Sequence, residues 1–206
     1  MRRQLVSALL MTIVLIVLLG VIYPLVVTGV AQVAFSDRAN GSVVSRNGTA
    51  VGSSLIGQAF VDKGGNPLPR YFQPRPSNAG TPVTGSAPGA PGYDTTSSGG
   101  SNLGPSNTVL LNNVAARVKA YRTFNGLDAS TPVPVDAVTS SASGLDPDIS
   151  EQNALDQVAR VAQARNLNPA AVRALVVQHV DARPWGFLGE NTVNVLDLNL
   201  ALDGRQ

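Results

Sequence analysis

The chain has 206 residues, with 15 Lys and Arg against 13 Asp and Glu, one His and no Cys. Without cysteine it has no disulfide framework, thiol nucleophile, zinc–thiolate site or cysteine-linked lipid anchor. Arg2 and Arg3 account for the net charge of +2, so the rest of the chain is neutral overall, which argues against a nucleic-acid binder with its usual basic face.

From Leu5 to Ala34 no residue is charged, and Leu9–Tyr23 is almost wholly apolar. About 20 such residues cross the hydrocarbon of a bilayer as one helix, whose backbone satisfies its own hydrogen bonds. The organisation that follows is a cytoplasmic N-terminus at 1–8, a transmembrane helix at 9–34 and an extracytoplasmic α+β domain at 35–206. That domain, of roughly 170 residues, is long enough for a real core. Arg2 and Arg3 precede the run while Asp37 and Arg38 cancel behind it. The positive-inside rule therefore keeps the N-terminus in the cytoplasm of a plasma (inner) membrane and puts the domain outside. A cleaved signal peptide would carry an apolar core of only about 7–15 residues, so the length of this run favours a retained anchor. Pro24 frees a carbonyl and kinks the axis. Gly20 and Gly29 leave flat patches for a neighbouring helix.

Behind the anchor, Ser42–Arg46 and Thr49–Ser53 flank Asn47-Gly48, a strong hairpin signal. Leu55–Phe60 extends the second strand or starts another. Asn40-Gly41-Ser42 and Asn47-Gly48-Thr49 fit a glycosylation pattern, but turn chemistry explains both. Residues 61–106 are rich in Gly, Pro, Ser, Thr and Asn and read as irregular loop, with Asn78–Gly92 as a flexible insert. A loop this long is functional or disordered. A helix over 107–125 is capped by Ser106 or Asn107, turns Leu110, Val114, Arg117, Val118 and Tyr121 to one face, and ends at Asn125-Gly126. Pro132–Val135 reads as an extended edge and Asp136–Pro147 as a Ser-rich loop. A second helix starts at cap Ser150, buries Ala154, Leu155, Val158, Val161 and Ala162, and stops near Asn166. A third starts at Asn168-Pro169 and presents Val172, Leu175, Val176 and His179. Arg183–Gly189 is a loop, and alternating Leu196, Leu198, Leu200 and Leu202 predict a closing strand over Asn191–Leu202. Strands first, helices in the middle and a last strand make an α+β domain.

The candidate chemistry is sparse. Ser98-Gly99-Gly100-Ser101-Asn102 could offer backbone N–H groups to a phosphate, but the lysine that defines a P-loop is missing, and a structural or interface loop explains it better. His179, the sole histidine, lies on an apolar helical stripe and reads as packed rather than as a catalytic base; G-x-S-x-G is absent. Asp136, Asp146, Asp148 and Glu151 could chelate a metal or act as paired acids, yet helix capping accounts for most of them. Arg75, locked between Pro74 and Pro76 beside Tyr71 and Phe72, either prepares a partner contact or holds loop carbonyls.

Several islands in fixed order resemble a known family. They are Tyr23-Pro24 in the anchor, Gly52–Phe60, Tyr71–Ser77, Ser98–Pro105, Pro132–Pro134, Val138–Pro147, Arg160–Arg165 and Val193–Leu202. Together they resemble, almost end to end, the C subunit of the bacterial Kdp potassium-transporting P-type ATPase. The resemblance implies a single-pass accessory subunit without its own catalytic site or cofactor. ATP and potassium are then handled by the complex, whose C subunit is described as raising the ATP affinity of the catalytic subunit. The implied partners are that P-type ATPase subunit, a channel-like potassium-selective subunit, a small membrane subunit and membrane lipid. Gln58, Tyr71, Arg75, Ser98, Gly99, Gly100, Ser101 and Asn102 become interface or loop-fixing candidates, and Gly20, Tyr23, Pro24 and Gly29 helix-docking candidates. The insert at 78–92 and the acid at Asp148 depart from the family pattern. The readings of another class are an anchored envelope hydrolase using a serine with His179 and a free-standing anchored binding module.

Overall fold

A computed structural model describes residues 1–80 and 92–204. The predicted insert falls outside the described residues over 81–91. The chain divides into two compact units, Met1–Val51 and Gly52–Gln206.

The first unit is dominated by helix α1 (Arg2–Ala34), which is long and apolar enough to cross a membrane and has none of its apolar window buried. It starts at Arg2, ahead of the expected Leu9. Leu18–Ile22 forms a π turn in which the Tyr23 N–H donates to the Leu18 carbonyl. Pro24 lies directly behind it. A proline offers no N–H to the carbonyl four residues back, and a local π adjustment is how such helices rearrange their freed backbone groups. At Gly20 and Gly29 nothing lies within 4 Å of where a Cβ would stand, so both surfaces are open to a neighbour. Strands β1 (Val43–Arg46) and β2 (Thr49–Ser53) form the predicted hairpin. Both Asn47 and Gly48 have positive φ, as a tight two-residue turn of this twist requires.

The second unit holds the core. Helix α2 (Thr108–Asn125) is capped by the Asn107 side chain, which accepts from the Val109 N–H, and ends on left-handed Gly126. Its predicted stripe, Leu110, Val114, Arg117, Val118 and Tyr121, is half-buried. Strand β3 (Asp148–Ser150) leads into α3 (Glu151–Arg165), capped by Ser150 and closed by left-handed Asn166. Helix α4 (Pro169–Gln178) begins at cap Asn168 and is followed by β4 (Val180–Asp181), β5 (Thr192–Asn194) and α5 (Val195–Asp203). The three strands form one antiparallel sheet in the order β3-β5-β4, with Ile149 and Val180 both in register with Val193. Ile149 and Val193 pack with Ala154, Val158, Val161 and Ala162 of α3, with Val172, Leu175 and Val176 of α4, and with Leu198 and Leu202 of α5.

Three expectations are corrected. The closing strand stops at Asn194, and the leucines lie on α5 instead. The Asn194 side chain accepts from the Asp197 N–H and starts a helix in leucine-rich, helix-favouring sequence. Val195, Leu198 and Leu202 then share a helical face, so the apparent alternation carried two periods. Leu55–Phe60 contributes only an isolated bridge, Ser53–Ile56. Pro132–Val135 joins no sheet and runs into a 3-10 turn at Val135–Ala137. The strand that does pair, β3, lies where the sequence predicts only the end of a loop and the cap of α3.

Candidate functional site

The motif islands meet on the segment 141–146. The Ser98 hydroxyl and the Gly99 N–H both donate to the Ser143 carbonyl, at 3.0 and 2.8 Å. A Cβ on Gly100 would lie 3.0 Å from the Ala142 carbonyl oxygen. Ser77 Oγ donates to the Gly144 carbonyl and accepts from the N–H groups of Ala79 and Tyr93. The Gly57 N–H donates to the Leu145 carbonyl, and a Cβ on Gly57 would stand 2.5 Å from the Asp146 carbonyl oxygen. Only glycine permits so close an approach of two backbones. Arg75 Nη1 pairs with Asp146 Oδ2 at 2.8 Å, and the Tyr93 hydroxyl donates to the Arg75 carbonyl. Burial, and next the Asp146 charge, push the Tyr93 phenol up, so it stays a neutral donor.

A second group of contacts fixes Pro69–Gln73. This stretch is irregular, so its peptide groups need partners from elsewhere. Phe72 is fully buried, and its N–H and carbonyl pair with the Asn199 side-chain amide at 2.9 and 3.0 Å. The N–H and carbonyl of Gln73 pair in the same way with the Gln157 amide, at 2.8 and 3.1 Å. Arg160 donates to the carbonyls of Pro69 and Tyr71 and to the side-chain oxygens of Asn125 and Gln157. Its guanidinium also stacks 4.3 Å over the Phe124 ring. Burial lowers its pKa to about 10, so it stays charged at neutral pH. Arg165 takes the Arg70 carbonyl and Asp203, and its guanidinium lies over the Tyr71 ring. The Gln73 side chain donates to the Phe60 and Leu68 carbonyls.

Of the residues singled out from sequence, Tyr71 and Arg75 thus lie inside these networks, and Ser98, Gly99 and Gly100 lie along the 141–144 segment. Ser101 and Asn102 are exposed, with Asn102 at φ 52°. Gln58 is half-buried, its Oε1 lying 2.7 Å from where a Cβ on Gly52 would stand. The residues that sequence reasoning missed are Tyr93, Gln157, Arg160 and Asn199. The signal was the polar row Asn153, Gln157, Arg160 at helical spacing along one buried edge of α3.

The acidic series separates by role. Asp136 accepts from the Ser150 N–H and hydroxyl and from Asn153, at the start of α3. Asp146 serves Arg75 and the Asp148 N–H. Among the described residues no cluster of three or more His, Asp and Glu could hold a metal ion. Asp148 titrates above the usual carboxylate range, mainly through burial and then through the Asp146 charge, while the Asn194 hydrogen bond opposes the shift. The folded chain therefore holds this proton more tightly than the unfolded chain. Stability falls as pH rises from about 4 through the folded value, and the penalty is complete above that value. Asp148→Asn is expected to raise the melting temperature near pH 7 and to match the parent near pH 3. A lower melting temperature near pH 7 would contradict this. His179 Nδ1 lies 2.8 Å from the Leu175 carbonyl oxygen at the end of α4.

One helix of membrane-crossing length and one α+β domain with loops knitted by buried polar side chains are consistent with a membrane-anchored, single-pass protein. The chain belongs to the KdpC family: the family model described as K+-transporting ATPase, c chain, matches residues 5–204. The potassium-transporting ATPase KdpC subunit of Mycobacterium tuberculosis (strain H37Rv) is 54% identical over 203 residues, covering 98% of this chain and 99% of that protein. The subunit of the same name from Koribacter versatilis is 48% identical, covering 100% and 97%. That from Gemmatimonas aurantiaca is 49% identical, covering 98% and 94%.

Proposed function

We propose that this chain is the non-catalytic accessory subunit of a high-affinity, ATP-driven potassium import complex. The observation that carries the reading is the end-to-end match to proteins named as potassium-transporting ATPase KdpC subunits, at 48–54% identity. Its partners are a catalytic P-type ATPase subunit, a channel-like potassium-selective subunit and a small membrane subunit. Helix α1 docks on partner helices in the lipid, through the surfaces at Gly20, Tyr23, Pro24 and Gly29, because small residues let helix backbones approach closely. Arg2 and Arg3 keep the N-terminus inside, so the α+β domain works outside the cell membrane. ATP and potassium are handled by the complex, and the chain has no cofactor of its own. From outside, the domain reaches nucleotide affinity only through the membrane subunits, as a coupling between two states. Gln58, Tyr71, Arg75 and Ser98–Asn102 fix the loops of the face presented to the partners. The tie between His179 and a carbonyl of its own helix supports a structural role for that ring over the hydrolase reading.

Purification in mild detergent tests this. The chain is expected to bring down a large ATPase and a channel-like protein, and recovery of the chain alone would overturn the proposal. In the same preparation a Ser101→Cys chain, whose cysteine is unique, is expected to have reacted in intact cells with a membrane-impermeant maleimide. Protection of that site would overturn the orientation.

A further inference from the structure

A cavity of about 200 Å³ opens where the 59–76 segment faces α2. Apolar and aromatic side chains dominate its lining, among them Val61, Pro67, Tyr93, Tyr121 and Phe124. Two cations, Arg75 and Arg117, also line it. Arg75 is neutralised by Asp146. Arg117 donates from Nη1 to the Val138 carbonyl at 3.1 Å, and among the described residues no carboxylate pairs with it. The Nε atoms of both arginines are buried without a hydrogen-bond partner. The other polar side chains of the lining are used internally: the Tyr93 hydroxyl on the Arg75 carbonyl, the Tyr121 hydroxyl on Asn153, and the Gln73 amide on loop carbonyls. The cavity thus carries one positive charge more than the chain neutralises, in surroundings that make an unpaired charge costly. Burial lowers the Arg117 pKa, in keeping with that cost.

We propose that this cavity binds a small monocarboxylate on a compact apolar body, its carboxylate on the Arg117 guanidinium and its body against Tyr93, Tyr121 and Phe124. A guanidinium with free N–H groups matches a carboxylate, with two donors for two oxygens. The aromatic walls select a flat or branched apolar body over a bare ion. Sites for cofactor-sized ligands occupy about 300–1,000 Å³, so this cavity suits a single ring.

Benzoate is the probe. Saturation-transfer NMR on the full-length chain in detergent is expected to show saturable binding with a Kd of about 1 mM, in line with about 0.5 kcal/mol per heavy atom. Benzamide, which lacks the charge, is expected to bind at least about tenfold more weakly. Arg117→Gln is expected to weaken benzoate by at least about tenfold. Ala120→Leu, which fills the cavity while leaving both arginines in place, is expected to abolish binding. The same micelles holding the Arg117→Gln chain report any partitioning of benzoate into detergent. Non-saturable binding to the parent chain, or binding by either variant as tight as the parent's, would overturn the proposal.

Discussion

Arg160→Ala is expected to lower the stability of the α+β domain by about 3–5 kcal/mol, the cost of breaking a buried, hydrogen-bonded charge network. For a domain of this size that corresponds to a fall in melting temperature of about 10–15 °C. Arg160 is 7% exposed and joins elements far apart in sequence: α3 itself, Asn125 at the end of α2, and the 69–71 loop. Truncation removes donors from two loop carbonyls and from the side chains of Asn125 and Gln157. Each buried acceptor left unsatisfied costs about 1–3 kcal/mol, so the loss exceeds that of a single hydrogen bond. Lysine should not rescue it. An ammonium is a compact point charge, whereas the four acceptors sit around a planar, five-donor fork. Thermal unfolding of the full-length chain in detergent, followed by circular dichroism, measures the effect. A shift below about 3 °C for Arg160→Ala would show that the network is redundant.

Gly144→Ala is expected to cost about 2–4 kcal/mol through left-handed strain and overpacking together. Gly144 has φ 68°, where a side chain is strained. Its new Cβ would also stand 2.6 Å from the Gly99 carbonyl oxygen and 2.8 Å from the Ala79 nitrogen, both backbone atoms. Neither can retreat without pulling on Ser77, which holds the Gly144 carbonyl, or on the Gly99 N–H bond to Ser143. The damage is therefore local before it is global. The Gly99 amide should exchange with solvent much faster in the variant, while amides in α3 and α4 slow or quicken only with overall stability. Unchanged exchange at Gly99 would mean that the 98–102 loop does not depend on the 141–144 segment.

Local chemistry was legible wherever one short signal sufficed. Asn47-Gly48 announced its hairpin, Asn107, Ser150 and Asn168 announced their helices, and the stripes of α3 and α4 named most of the core. Reading failed where two periods fit the same residues, as at Leu196–Leu202, and where a strand was only two or three residues long. Val180–Asp181 is a strand because β5 lies beside it, which no window on its own sequence reveals. The loop cluster was half legible. Tyr71, Arg75 and Ser98–Gly100 stood out by composition, but Arg160, Asn199 and Gln157, which hold Tyr71, Phe72 and Gln73, are polar residues on helices whose apolar neighbours drew attention instead. A buried amide is distinguished from a surface amide only by what folds against it.

The amide clasps on Phe72 and Gln73 also set an order of assembly. Their two halves are separated by 127 and 84 residues. Closing spans of that length costs chain entropy before any contact repays it. The Phe72 clasp needs Asn199 on α5, so the 69–73 segment has no complete seat until α5 has emerged. A chain truncated before α5 can still nucleate α3 and α4 from their own caps and stripes. It cannot close the loop, and so a late helix, α5, is the one that finishes a segment made more than a hundred residues earlier.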